Sequence, residues 1–209
     1  MDIGVIDVES CKPVRGALVD LWHANATGFY AGHPSPSPEL INEKPQVGGR
    51  RSGLLTAYPR TNFDEQWCRG AWPTDDDGVA RFSSIFPGYY TGRATHVHAQ
   101  VHLNWKVNPN STFISPHAAY VGQFFFEDEI NLEIDKMSPY NQNPVKDRTR
   151  NWRDSLTVYH ESHQNGFQAT FDIEKVGTVI RQGLIGYMTV GINLSAQFDH
   201  HWSPVEPFP

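Results

Sequence analysis

The chain has 209 residues, of which 19% are charged and 39% hydrophobic, and its formal net charge is -6. That length fits a single domain spanning 1–209 with a sizeable core. No stretch approaches the roughly 18 apolar residues of a membrane span. The acidic balance and the lack of a basic run argue against nucleic acid or an anionic membrane as partner. With 15 prolines, 17 glycines and no long helical periodicity, the composition points to a loop-rich β protein.

Taken in chain order, residues 2–8 and 16–23 alternate apolar and polar side chains and predict half-buried strands, joined by a turn at Cys11–Gly16. Residues 31–66 are irregular: Pro34, Pro36 and Pro38 cannot enter a sheet interior, and Gly48–Gly53 is a flexible basic patch. A connection this long suggests a loop over a site mouth. Asp75-Asp76-Asp77-Gly78 is a tight turn, with too few alternating acidic positions for a calcium loop. Further strands are predicted at 79–84, 94–105, 120–127, 167–172 and 184–194. Short helices are predicted at 128–137 and near 173–182, and a loop over Pro139–Asp154. Many short strands between turn signals predict an all-β chain, a β-sandwich with long loops and one or two short helices.

The densest chemistry lies in Pro87-Gly88-Tyr89-Tyr90-Thr91-Gly92-Arg93-Ala94-Thr95-His96-Val97-His98. Residues i and i+2 of a strand share a face, so His96 and His98 can offer two imidazoles to one metal. By spacing alone, either Tyr89 or Tyr90 could fold back to join them. Neutral nitrogens with phenolate oxygens make a hard, anionic donor set that suits trivalent iron better than zinc. His102 shares the parity of His96 and His98 but lies about 13 Å beyond His98 along a strand, so it reads as a polar face residue. His23 points away from Trp22, itself read as a core aromatic beside the site. His117, His160, His163, His200 and His201 have no supporting context and read as surface residues.

A second segment, Trp22-His23-Ala24-Asn25-Ala26-Thr27-Gly28-Phe29-Tyr30, supplies another tyrosine. Together with Pro87–His98 and Arg69-Gly70-x-x-x-Thr74-Asp75-x-Asp77-Gly78, it resembles the intradiol ring-cleavage dioxygenases, in details such as Trp22-His23 their secreted fungal and arthropod branch. Pro139-Tyr140-Asn141, Asn151 and Asp154 echo a loop of that family. The resemblance implies non-haem Fe(III) held by Tyr30, Tyr90, His96 and His98, with Tyr90 rather than Tyr89 as the ligand. It also implies that Tyr90 acts as general base, Arg93 as an electrostatic stabiliser and Gln123 as its helper. The alternatives are a surface salt bridge for Arg93 and an ordinary strand-face residue for Gln123. The implied reaction splits a catechol-type diol with O2 to a cis,cis-muconate-type diacid. Small-molecule substrate and O2 are then the partners, in a monomer or weak homodimer.

Two other readings compete: a β-sandwich binding module that has lost its metal, and a cupin-like oxidase using His-x-His. The first would lack a ligand residue, and the second would want a carboxylate and a third histidine. The resemblance implies an extracellular protein. No leader is visible, and the family's usual N-terminal segment is expected to be either removed or naturally absent. Cys11 and Cys68 are too few for zinc, and a disulfide between them is plausible in a secreted chain. Sequons stand at Asn110-Ser111-Thr112 and Asn193-Leu194-Ser195, while Asn25-Ala26-Thr27 is discounted because it lies within the candidate site.

Overall fold

The computed structural model describes residues 1–31, 65–90, 92–143 and 145–198. Most of the expected site-mouth loop, with His200 and His201, lies outside them. Two four-stranded sheets dominate. One runs β4 (Val79–Arg81), β1 (Asp2–Asp7), β10 (Leu184–Ile192), β9 (Asp172–Lys175), and the other β3 (Arg69–Pro73), β2 (Leu18–His23), β5 (His96–His102), β8 (Tyr120–Phe125). Pairing is antiparallel except between β1 and β10. A small hairpin, β6 (Lys106–Val107) and β7 (Phe113–Ile114), projects beyond β5. The mainly-β class read from the sequence is correct, and helix α1 (Asp128–Ile134) falls within its predicted span.

The alternating side chains make the core. Ile3 and Val5 of β1 and Met188, Val190 and Ile192 of β10 face Val19, Leu21, Val97, Ala99 and Val101 of the other sheet. The opposite parity of β5 carries His96, His98, Gln100 and His102, which point away from that core. His102 is nevertheless buried, its ring 5.2 Å from that of Phe113, so the expected polar surface face is covered by the hairpin. Among the described residues, no helix is long and apolar enough to cross a membrane.

Several boundaries differ from the sequence reading. The stretch predicted as a helix near 173–182 is instead strand β9, paired with Leu184–Tyr187, followed by a 3-10 turn at Ile180–Gln182. Ile173 packs on the sandwich core while Asp172 and Glu174 face out, a period of two that a helix cannot satisfy. The strand predicted at 167–172 reduces to a bridge between Thr170 and Phe125. The 139–154 segment is not plain loop: it contains 3-10 turns at Tyr140–Gln142 and Asn151–Arg153. Helix α2 (Val158–Gln164) was not foreseen. Cys11 and Cys68 are free thiols, one in the turn after β1 and the other leading into β3 of the opposite sheet. The disulfide expected between them is absent from the fold.

Candidate metal centre

The site is built on the outer face of the β2–β5–β8 sheet. Register places Trp22, His98 and Gln123 side by side across the three strands. Directly opposed residues share a face, and the Trp22 and His98 rings lie 5.8 Å apart. His96 stands one pleat away in the same row of outward positions.

Tyr30 is delivered by a turn that closes on itself. The Asn25 side-chain carbonyl accepts hydrogen bonds from the backbone N–H groups of Thr27 and Phe29, each at 3.0 Å. The Asn25 N–H donates to the Phe29 carbonyl at 2.7 Å. Gly28 takes the left-handed conformation this turn requires, φ 90°. Trp22 then stacks edge-on against Tyr30 at 4.8 Å, and its indole N–H donates to the Ala31 carbonyl.

Tyr90 arrives on a different support. Gly88 lies so close to the Asn25–Ala26 backbone that a Cβ would meet the two carbonyl oxygens at 2.5 and 2.6 Å. The Gly88 N–H donates to the Asn25 carbonyl at 2.9 Å. The two adjacent tyrosines diverge here. The Tyr89 hydroxyl donates to the Val145 carbonyl and its ring lies under Arg148, 4.0 Å from the guanidinium carbon. Tyr90 turns the other way, its ring 5.8 Å from Tyr30 and 5.7 Å from His96.

Three donor atoms converge. The Tyr30 hydroxyl is 3.2 Å from His96 Nε2, which is 3.2 Å from His98 Nε2. Donors held about 2.1 Å from one ion would be 3.2 Å apart at an angle of about 100°, an ordinary value for a first-row metal. His96 Nδ1 lies 2.7 Å from the Ala94 carbonyl, the bond that fixes a ligating imidazole with its Nε2 lone pair outward. Among the described residues, no cluster of three or more His, Cys, Asp or Glu side chains could hold a metal, so this set depends on its tyrosines.

The electrostatics ask for a cation. Burial pushes the Tyr30 phenol well above its ordinary pKa; Tyr90 adds to the rise and Arg93 opposes it. Burial likewise raises Tyr90, against the positive charge and hydrogen bond of Arg93. Burial, then His98 and Arg93, push His96 well below the usual imidazole value. Alone, these rings prefer to be neutral; a multivalent cation reverses that preference and is what two buried phenolates need. The donor set therefore fits ferric iron.

Arg93 is buried rather than a surface residue, and its guanidinium is engaged on three nitrogens. Nε donates to Asp154 at 2.8 Å, Nη1 to the Tyr90 hydroxyl at 3.1 Å, and Nη2 to the Gln123 side-chain carbonyl. Gln123 is thus tied to Arg93 by a hydrogen bond across the face of the sheet. A cavity of about 430 Å³ lies elsewhere: Phe86, Phe126, Ile134, Met137 and Tyr140 line it, and none of the four candidate ligands does.

The sequence reading named Tyr140 and Asp154 only as loop echoes and overlooked Asn143 and Arg148, which help brace the second tyrosine's segment. Asn143 donates to the Tyr89 carbonyl at 2.8 Å and Tyr140 to the Phe86 carbonyl at 3.0 Å. Arg148 donates to Thr95 and pairs with Asp135. Their side chains act across 50 or so positions of sequence, which no local spacing announces.

No family model and no curated protein sequence matches the chain. Solved structures do. An intradiol ring-cleavage dioxygenase from Tetranychus urticae superposes with a TM-score of 0.66 at 26% identity, covering 95% of this chain and 81% of that one. A second structure, described only as a dioxygenase, gives 0.65 at 25% identity with the same coverage. The chain resembles the intradiol ring-cleavage dioxygenases across nearly its whole length, and the likeness supports an enzyme of that class. Within that likeness, this chain's own geometry contributes the approach of the Tyr30, His96 and His98 donor atoms, with the Tyr90 ring beside those of Tyr30 and His96.

Proposed function

We propose that this chain, acting as one catalytic domain, cleaves catechol-type aromatic diols with O2 between their two hydroxyl-bearing carbons, giving cis,cis-muconate-type diacids. Tyr30, Tyr90, His96 and His98 would hold a non-haem ferric ion. The observation that carries this reading is the approach of the Tyr30, His96 and His98 donor atoms to 3.2 Å, with Tyr90 turned toward them beneath Arg93. When bound, ferric iron supplies a Lewis acid for the diol oxygens and a redox-active centre through which the ring becomes reactive toward O2.

The protein's own groups do the rest. A diol must lose two protons to chelate. Tyr90 is placed to take one of them, as a phenolate that becomes a phenol. Arg93 donates to the Tyr90 oxygen and so favours its phenolate form before the proton is taken. The same cation would stabilise negative charge on a diol ring bound beside Tyr90, a preorganised arrangement worth about 3–4 kcal/mol for a well-aimed donor. Gln123 holds the guanidinium from the far side. Trp22 packs edge-on against the Tyr30 ring and holds it in place.

An extracellular location is part of the proposal. Asn110 and Asn193 are both exposed and sit in turns, where a glycosyl transfer could reach them. Asn25 is committed to its own turn. The test of the activity is a mass balance. Under ¹⁸O2, iron-loaded protein and catechol should yield a diacid carrying both labelled atoms. A product with one label, or none, would contradict intradiol cleavage.

A further inference from the structure

We propose that Asp154 is a positioning residue for the reaction: it aims the Arg93 guanidinium at the Tyr90 phenolic oxygen. The inference rests on the reading of Tyr90 and Arg93 given above and assigns a role to a residue in neither the ligand set nor the catalytic set.

The Asp154 side chain is 1% exposed and that of Arg93 7%, so the pair is closed to solvent. Both carboxylate oxygens are fully engaged. Oδ1 accepts from Arg93 Nε at 2.8 Å and from the Leu156 backbone N–H at 2.8 Å. Oδ2 accepts from the Ala94 backbone N–H at 2.7 Å. One carboxylate therefore grips the side chain of Arg93 and the main chain of the next residue. The Ser155 N–H donates to the Gly92 carbonyl at 2.8 Å and completes a two-way latch between 92–94 and 154–156.

A guanidinium is flat and rigid. With Nε fixed by Asp154 and Nη2 by Gln123, its plane and its rotation are both determined, and Nη1 is left directed at Tyr90. Gln123 alone would leave the group free to pivot about a single contact. The carboxylate is chemically required, because three N–H donors meet its two oxygens. An asparagine there has one oxygen and one NH2, so in either orientation a donor faces a donor.

The test is a double-mutant cycle on the ferric protein: parent, Asp154→Asn, Arg93→Ala and the pair together. Asp154→Asn should retain iron, keep KM near the parent's and lower kcat by about 10–100-fold, the usual consequence of a small misplacement of a reacting group. Its phenolate-to-iron absorption band should shift in the same direction as in Arg93→Ala, because the Tyr90 oxygen loses the same donor. In the Arg93→Ala background, Asp154→Asn should have no further effect on kcat. Asp154→Glu, which keeps both acceptors, should recover part of the rate; it also carries the comparison if Asp154→Asn fails to fold. A kcat equal to the parent's, or the same fractional loss with and without Arg93, overturns the inference and makes Asp154 a structural residue. A parent protein that takes up ferric iron without an absorption band and without ring cleavage overturns the reading beneath it, a different and recognisable failure.

Discussion

The two tyrosines of the candidate centre are held in opposite ways. Tyr30 is fixed locally: Asn25, Thr27, Gly28 and Phe29 close its turn, and Trp22 clamps its ring. Tyr90 is fixed from afar, by Asn143, Tyr140, Arg148 and Asp154, all from one irregular stretch lying over residues 86–95. The environments differ accordingly. Tyr30 is surrounded by rings, while Tyr90 has a cation at hydrogen-bond distance. A tyrosine that only ligates needs the first kind of support. The second adds a cation that favours the phenolate and so opposes the rise in pKa that burial imposes on Tyr90.

Breaking the Tyr30 arm should have the largest effect. Tyr30→Phe removes a donor from the converging set, and we expect it to abolish stoichiometric iron binding and ring cleavage together, read by metal analysis and oxygen uptake. Iron retained at parent level would remove Tyr30 from the ligand set. Tyr90→Phe should act differently. Iron is held by the other three residues, while kcat falls by about 10²–10⁴-fold, the range typical for loss of a general base. Turnover as fast as the parent's would contradict the role given to Tyr90.

Gly88→Ala sharpens the comparison, because Gly88 is where the two arms touch. The added methyl would meet backbone oxygens at 2.5 and 2.6 Å, and backbone cannot step aside as a flexible side chain can. We expect destabilisation of about 1–3 kcal/mol, or roughly 2–4 °C in Tm for each kcal/mol in a chain of this size. The visible band should broaden as Tyr90 is displaced. An unchanged Tm would show that the arms do not depend on this contact.

The smallest effect concerns pH. His23, on the inner parity of β2, is buried between the Ala24 carbonyl and the Ser84 hydroxyl, and burial lowers its pKa. A depressed imidazole pKa means that the unfolded chain binds the proton more readily. Stability from this residue is therefore fully present above about pH 6.5 and is lost as pH falls toward the folded value. Urea midpoints of the metal-free protein should drop between about pH 7.5 and about pH 5.5. His23→Gln should narrow the drop without abolishing it, because buried His96 acts in the same direction.

Much of this was legible in the sequence where it depended on period or adjacency. The parity of β5 separated Val97, Ala99 and Val101 from His96 and His98 correctly, because a strand gives alternate residues no other choice. The Asn25–Tyr30 turn is equally local, its partners being its neighbours, but Tyr30 itself was reached through the family resemblance. Spacing alone left Tyr89 and Tyr90 equivalent, and a family resemblance was needed to choose. Physically, the choice is made by Val145 and Arg148, more than 50 positions away. Asp154 was invisible as a positioning residue because its partner lies 61 residues earlier. The 173–182 segment misled because two short elements were read as one longer helix. The burial of His102, read as a polar face residue, was not foreseen because the covering hairpin has strands of only two residues, too short to leave a periodic signal.

The most direct test of the central claim is the visible spectrum of the purified, ferric-loaded chain, before and after anaerobic catechol. A red-brown phenolate-to-iron(III) band that moves to longer wavelength with catechol is the expected result, and it would report tyrosinate ligation and diol chelation in one titration. A protein that stays colourless after ferric loading would contradict the claim that Tyr30, Tyr90, His96 and His98 form an iron centre.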